Sequence, residues 1–195
     1  MTRSYAAEII GAYRKTHERI AGLVERLTDE QLHWRPTPDS LSIAFHVWHV
    51  ARWADHIQAA FPGMTPELGR RLAPGVQIWE AEDLAAHWGF DLLQLGYAAT
   101  GMTMPESSAV GLAFPPKERL LAYLHRAFAA VDNSLDAIDD EQFAAAEQPQ
   151  PLTKGIWAES TVGDAILSHV VHDNRHLGAM ECLAGIQSGS GSATI

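Results

Sequence analysis

The chain contains a single cysteine, Cys182, and this scarcity excludes two kinds of stabilising site. One thiol cannot build an internal disulfide framework. It also cannot complete a zinc site made of four cysteines, or of two cysteines and two histidines. Any metal ion in this protein must therefore be held mainly by nitrogen and oxygen ligands. We expect Cys182 itself to be a small buried residue.

Positive charge is also scarce, because 14 Lys and Arg stand against 24 Asp and Glu, which gives a formal net charge of −10. Affinity for a nucleic-acid backbone comes from Lys and Arg, and so does attraction to an anionic membrane surface. Apolar runs fall short of the ~18 residues that cross a bilayer. Glu8, Arg14 and Lys15 interrupt the N-terminal segment, so it does not resemble a signal peptide. We expect a cytoplasmic protein with neither nucleic acid nor membrane as its partner.

Helical periodicity dominates what is present. Apolar residues recur at amphipathic-helix spacing over about residues 4–27, 40–61, 117–138 and 161–186. The second of these helices opens at Ser40 or Ser42, and we expect Pro62-Gly63 to end it. A capping-box pattern over residues 28–31 predicts a short extra turn after the first helix.

The second and third predicted helices are separated by residues 62–116, a long connection with one helical segment at about 78–97. Four long helices with one long connection predict an all-α protein, a four-helix bundle with a crossover insertion between helices 2 and 3. The length of 195 residues predicts one domain, at residues 1–187. Residues 188–195, rich in Ser and Gly, are expected to form a flexible tail.

Histidine is unusually frequent, with ten in the chain, and two of them suggest a metal site. His172 and His176 are four residues apart on the fourth predicted helix, so their side chains leave the same face one turn apart. Two imidazoles in this arrangement can reach one metal ion. His169 lies on the same side, where we favour a packing or supporting role over ligation. Asp173 and Asp55 are candidates for orienting imidazole N–H groups.

A third ligand is expected from another helix, and the second predicted helix offers His46, His49 and His56. His46 lies nearer the centre of the apolar stripe, whereas His49 lies at its edge beside Trp53. Periodicity slightly favours His46 and does not decide between the two. Trp53, one turn from His49, is the tryptophan best placed to line a pocket.

Two motifs resemble the DinB-like (damage-inducible) superfamily. The first is a Trp-x-Pro-x-Pro turn followed by a Ser-Ile helix start and a histidine two turns later, here Trp34, Pro36, Pro38, Ser42, Ile43 and His49. The second is a closing His-x-x-x-His motif followed by glycine, here His172, His176 and Gly178. The resemblance implies a four-helix bundle, a homodimer, and a divalent metal held by His49, His172 and His176.

The same resemblance implies a metal-dependent enzyme acting on small electrophiles. Zn²⁺ and Ni²⁺ both suit imidazole nitrogen, and we expect one of them. We expect a thiol S-transferase or hydrolase, in which the metal activates a low-molecular-weight thiol or water against a small electrophilic substrate. The alternative is a non-catalytic stress-response protein that uses the pocket to hold a metal or small ligand.

Overall fold

Helices account for the regular structure in the computed structural model, which describes residues 4–148 and 160–189. In chain order the described α-helices are α1 (Tyr5–Arg26), α2 (Asp29–His33), α3 (Ile43–Met64), α4 (Pro66–Arg71), α5 (Ile78–Ala81), α6 (Leu84–His87), α7 (Glu106–Val110), α8 (Lys117–Leu135), α9 (Asp140–Ala144) and α10 (Val162–Ser188). Over these residues β-structure is limited to isolated bridges. The predicted all-α fold class is confirmed.

The long helices begin where side chains can satisfy their free backbone N–H groups. The hydroxyls of Ser4 and Ser42 accept from the third residue of α1 and of α3, respectively. Thr28 and Thr161 form full capping boxes at α2 and α10. The capping box predicted over residues 28–31 is therefore confirmed, and Ser42 rather than Ser40 begins α3.

The four long helices pack around a shared core. Helix α1 packs against α8 and α10, and α3 packs against the same two helices. The largest side chains with no exposed surface fill the space between these helices and the connection that covers them: Tyr13, Ile20, Trp48, Ile57, Phe61 and Met64 are examples. This arrangement sets α3 directly beside α10, the two helices that carry the predicted ligands.

Helix α3 does not end before Pro62, as the sequence predicted, but continues to Met64 with the proline inside its last turn. Proline removes one backbone hydrogen bond from a helix. Phe61 and Met64, on either side of it, have no exposed surface. Their packing compensates for the lost bond, and Thr65 then caps both α3 and α4.

The helix predicted at about residues 78–97 is broken into two single-turn helices, α5 and α6, followed by a 3₁₀ turn at Leu92–Gln94. Asp83, between α5 and α6, has a left-handed φ of 47°, and Gly89 has a φ of 73° just beyond α6. A left-handed residue interrupts the helical hydrogen-bond ladder. The crossover segment, residues 65–116, is therefore mostly loop with single turns.

Helix α8 ends at Leu135, three residues before the predicted boundary, and α10 extends to Ser188, which enters the predicted tail. Residues 190–195 of that tail lie outside the described residues. Among the residues that the structure describes, none of the helices combines the length and the apolar character needed to cross a membrane.

Candidate metal centre

The structure brings together the three histidines that the sequence analysis proposed as ligands. His49 lies on α3, and His172 and His176 lie one turn apart on α10. One ring nitrogen from each histidine lies within 4.8 Å of the other two. The centroid of the His176 ring is 4.5 Å from those of His49 and His172, and the latter two are 4.9 Å apart. Such a group can hold one metal ion.

The proton on His49 is placed by the main chain of the crossover segment. Its Nδ1 lies 2.5 Å from the carbonyl oxygen of Thr100. A carbonyl oxygen only accepts hydrogen bonds, so Nδ1 of His49 carries the proton and donates. In the neutral imidazole Nε2 is then left with its lone pair.

The proton on His172 is placed in the same way by its neighbour. Nδ1 of His172 lies 2.8 Å from Oδ1 of Asp173, a carboxylate oxygen that accepts. Burial alone would raise the pKa of Asp173, but its interactions with His17 and His172 outweigh burial and lower it. Asp173 is therefore ionised, and Nε2 of His172 also carries a lone pair. The prediction that Asp173 orients an imidazole is confirmed.

The two lone pairs face each other. Nε2 of His49 and Nε2 of His172 are 2.9 Å apart. With both Nδ1 atoms already donating, neither Nε2 has a proton to offer in the neutral state. Two unprotonated nitrogens at this distance repel each other unless a cation binds them. The donor set therefore fits a divalent metal ion of the kind that imidazole prefers.

Burial keeps these rings free of extra protons. Desolvation lowers the pKa of His49 to about 3, and the neighbouring His172 lowers it further. Desolvation likewise lowers the pKa of His176 to about 2, with added effects from His49 and His172. Metal ligation requires the neutral imidazole, so at neutral pH protons do not compete for these two rings.

The alternatives left open by the sequence take neighbouring positions. His46 lies beside the group, with its Nδ1 2.9 Å from Nδ1 of His176, and desolvation lowers its pKa to about 4. His169 is 3% exposed and packs its ring edge-to-face against Trp53, 5.6 Å away. His49 rather than His46 completes the group of three.

Aromatic rings form the walls around His49. Phe45 stacks on it at 5.8 Å, and Trp53 meets it edge-on at 6.5 Å. That Trp53 lines a ligand pocket stays a prediction. Of the candidate ligands His49 and His172, His172 is the less buried, because its side chain is 27% exposed whereas His49 is 8% exposed.

The loop that presents Thr100 is fixed by a buried arginine. Arg52, one turn after Trp48 on α3, has no exposed surface and donates to the carbonyl oxygens of Ala98 and Ala99 at 2.9 Å each. Both alanines have left-handed φ angles, 48° and 53°. Strain of this kind persists only where surrounding contacts fix the backbone. By holding the two preceding carbonyl groups, Arg52 helps to fix the position of the Thr100 carbonyl, which orients His49.

Asp55 has a structural task rather than the predicted role at an imidazole. Its carboxylate accepts from Arg52 at 3.1 Å, from the Tyr123 hydroxyl at 2.9 Å, and from the backbone N–H groups of Ile78 and Trp79 at 2.9 Å. These bonds fasten α5 to α3 and α8. Cys182 is exposed rather than buried, because it lies on the outer face of α10.

Two contributors to the site were missed by the sequence analysis. No sequence pattern could have indicated the Thr100 carbonyl, because every residue type has the same main-chain oxygen. His17, which contacts Asp173 from α1, did have such a pattern: it is four residues after Tyr13, within the apolar stripe of the first helix. A histidine in a buried stripe indicates a polar partner across the core.

Comparison with known proteins shows the family and the fold of the chain. A family model described as the DinB superfamily matches residues 12–180, a span that includes all three histidines. The chain is also similar to a crystal structure described as a conserved protein from Enterococcus faecalis, with a TM-score of 0.69 and 18% identity, covering 97% of this chain and 100% of that one. This likeness shows the fold alone. A comparison with curated proteins gives no match. The resemblance seen in the two sequence motifs is confirmed: the chain belongs to the DinB superfamily.

Proposed function

We propose that this protein is a metal-dependent enzyme in which His49, His172 and His176 hold Zn²⁺ or Ni²⁺. Its reaction is of the thiol S-transferase or hydrolase type, with a small electrophile as substrate. The observation that carries the proposal is the pair of Nε2 atoms 2.9 Å apart, with both Nδ1 atoms already donating. That arrangement is explained by a cation shared between the two rings.

The chemistry follows from the ligand set. A divalent ion held by the three neutral imidazoles would lower the pKa of a water or thiol bound to it, which is the chemistry that the group would supply. The chain supplies the rest. The Thr100 carbonyl and Asp173 hold two of the rings in orientation, while Phe45 and Trp53 exclude water behind them. The exposed side of His172 admits the thiol and the electrophile.

Metal content tests the ligand assignment. Purified protein is dialysed against Zn²⁺ or Ni²⁺, and bound metal is measured by mass spectrometry for the natural chain, for His49→Ala and for His125→Ala. His125 is a matched control, because it lies on α8, is about half exposed and pairs with Glu25. We expect one ion per chain in the natural protein and in His125→Ala, and loss of the ion in His49→Ala. Equal metal in all three proteins would contradict the assignment.

Activity tests the reaction class. Metal-loaded and metal-free protein are incubated with small thiols, or with water alone, and a panel of epoxides, activated esters and halogenated electrophiles. We expect turnover that requires the metal and is absent in His49→Ala. A protein that binds the metal but turns over none of these pairs would replace the enzyme proposal with the alternative of a non-catalytic metal-binding protein.

A further inference from the structure

Asp173 lies between two histidines, only one of which belongs to the metal centre. Its Oδ1 accepts from Nδ1 of His172 at 2.8 Å, and its Oδ2 lies 3.5 Å from Nε2 of His17, at ion-pair distance. The carboxylate is 1% exposed. A buried carboxylate needs compensating partners on both oxygens. His17 is the partner on the side away from the metal centre.

His17 is held in place by its own set of contacts. It lies on α1, is 3% exposed, and stacks on Phe128 of α8 with ring centroids 3.9 Å apart and an interplanar angle of 12°. Its Nδ1 lies 3.0 Å from Oδ1 of Asp132. Among the described residues, Nε2 of His17 makes no hydrogen bond and contacts Asp173 only at ion-pair distance. With a carboxylate oxygen within 3.5 Å of each ring nitrogen, His17 suits the imidazolium form, whose charge would balance that of Asp173.

These residues form a continuous polar chain across the protein, Asp132–His17–Asp173–His172. Asp132, on α8, is 29% exposed, whereas Asp173, on α10, is almost fully buried. This series of polar contacts therefore starts at Asp132, in the groove between α1 and α8, and ends at the ring of His172. The series connects α1, α8 and α10 to His172. Among the described hydrogen bonds, those of Asp132, His17 and Asp173 do not reach His49 or His176.

We infer that His17 is a positioning residue of the metal centre, which acts through Asp173 to fix the orientation of His172. The inference rests on the proposed metal site. Without His17, Asp173 keeps only one of its two restraints and is free to turn from His172 toward another donor. Partners of metal-ligating histidines typically change metal affinity about 10–100-fold when they are removed. His17 is one step further from the metal, so the lower end of that range is expected.

The first experiment compares His17→Gln with Thr16→Val. Metal dissociation constants are measured by competition with a chromophoric chelator, using the full chain. Thr16 is the matched control because it is also buried on α1 and contacts α10, through a 3.0 Å hydrogen bond from Asn174, and does not contact Asp173 in the structure. We expect metal binding about tenfold weaker in His17→Gln and unchanged in Thr16→Val. Equal affinity in all three proteins would overturn the inference.

The second experiment tests whether His17 acts through Asp173. We expect Asp173→Asn to weaken metal binding by about 10–100-fold, and the double variant with His17→Gln to be no weaker than Asp173→Asn alone. The visible absorption bands of bound Co²⁺ should shift in both single variants and remain unchanged in Thr16→Val. Losses that multiply in the double variant would show that His17 acts independently, and would overturn the inference.

Two further outcomes separate this inference from the proposed function. A natural protein that binds no metal contradicts the proposed site itself, whereas a natural protein that binds metal as tightly as His17→Gln contradicts only the role of His17. If His17→Gln does not fold, as judged by circular dichroism, Asp132→Asn replaces it, because Asp132 is partly exposed. We then expect a loss in the same direction that is smaller than about tenfold, and no loss would overturn the inference.

Discussion

At the scale of single residues, the two nitrogens of His49 have different tasks. Nδ1 is fixed by a backbone carbonyl, and Nε2 is turned toward His172. A backbone acceptor cannot be removed by substitution, so the orientation of this ring depends on where the loop places Thr100 and not on the threonine side chain. The hydroxyl of Thr100 donates to the Tyr97 carbonyl and helps to shape that loop.

The sequence could identify His172 and His176 because their spacing alone places them on one helical face. It could not choose between His46 and His49, because both project toward α10. His46 lies against His176, and His49 lies between His172 and His176. The choice depends on how deeply each ring lies between two packed helices, and a one-dimensional pattern does not contain that depth.

The buried histidines predict a loss of stability in mild acid. Burial lowers the pKa of His46 to about 4, that of His49 to about 3 and that of His169 to about 3. Below a pH of about 6.5 these histidines bind protons in the unfolded chain but not in the folded protein. The free energy of unfolding therefore decreases as the pH is lowered. Each such ring contributes about 1.4 kcal/mol per pH unit between roughly pH 6.5 and its lowered pKa.

Urea unfolding of the metal-free protein at pH 7.5, 6.0 and 5.0 measures this effect. We expect a loss of at least about 2 kcal/mol at pH 5.0, and a shallower slope for His46→Gln. The contribution of His17 to stability changes with pH in the opposite direction, because its pKa is raised. Burial lowers that pKa, but the interactions with Asp132 and Asp173 outweigh burial. The contribution of His17 is complete below pH 6.5 and is lost as pH rises through the raised pKa, so it leaves the acid slope unchanged. Equal stability at all three pH values would refute the prediction.

At the scale of elements, the crossover segment is part of the candidate metal centre, because it contacts one of the three histidines. Arg52 fixes the backbone at Ala98 and Ala99, and the next carbonyl orients His49. Gly101 follows with a φ of 90°. A Cβ at this position would lie 2.9 Å from Cζ3 of Trp48 and 3.2 Å from Nδ1 of His49. Only glycine fits both the backbone conformation and the space.

A matched pair of glycines tests this role. Gly89, in the same segment, also has a left-handed φ, 73°, but a Cβ there would meet open space. We expect Gly89→Ala to lose about 1–2 kcal/mol through backbone strain. Gly101→Ala should lose more, because its Cβ also collides with Trp48; chemical unfolding measures both losses. Only Gly101→Ala should also weaken metal binding, because it alone displaces the His49 ring. Equal metal affinity in the two variants would show that the loop does not position His49.

The N-termini of helices were the features best predicted from the sequence, because a capping side chain bonds to the backbone within three residues of itself. Thr28 caps where the local pattern indicated, and Ser42 is one of the two candidates that the pattern offered for α3. The conformation of the crossover segment could not be predicted, because it depends on contacts with residues that are far away in the sequence. Arg52 and Asp55 on α3 hold the backbone of residues 78–79 and 98–99, and no local pattern announces such contacts.

At the scale of the whole molecule, the proposed metal joins helices α3 and α10, which come from opposite halves of the chain. A ligand that binds only the folded state stabilises it by mass action. At a free metal concentration one hundred times the dissociation constant, we expect about 2.7 kcal/mol of added stability. Thermal unfolding with and without Zn²⁺ or Ni²⁺ measures the shift.

The melting temperature should rise by several degrees in the natural protein and in His125→Ala, and stay constant in His49→Ala. A rise that persists in His49→Ala would place the stabilising metal elsewhere in the molecule. A natural protein that binds the ion without any rise in melting temperature would show that the unfolded chain binds it as well.

The separation of the ligands also determines when the centre can form. His49 and His172 are 123 positions apart. At ordinary rates of translation a ribosome needs about 6–25 s to add that stretch, and throughout it the emerging chain has one of the three imidazoles. If the three histidines bind a metal ion as proposed, a half-made chain lacks two of the ligands, and metal loading would follow synthesis of α10. Cells that supply the metal during growth would thus load completed chains, and prematurely terminated products would not withdraw it from the cellular pool.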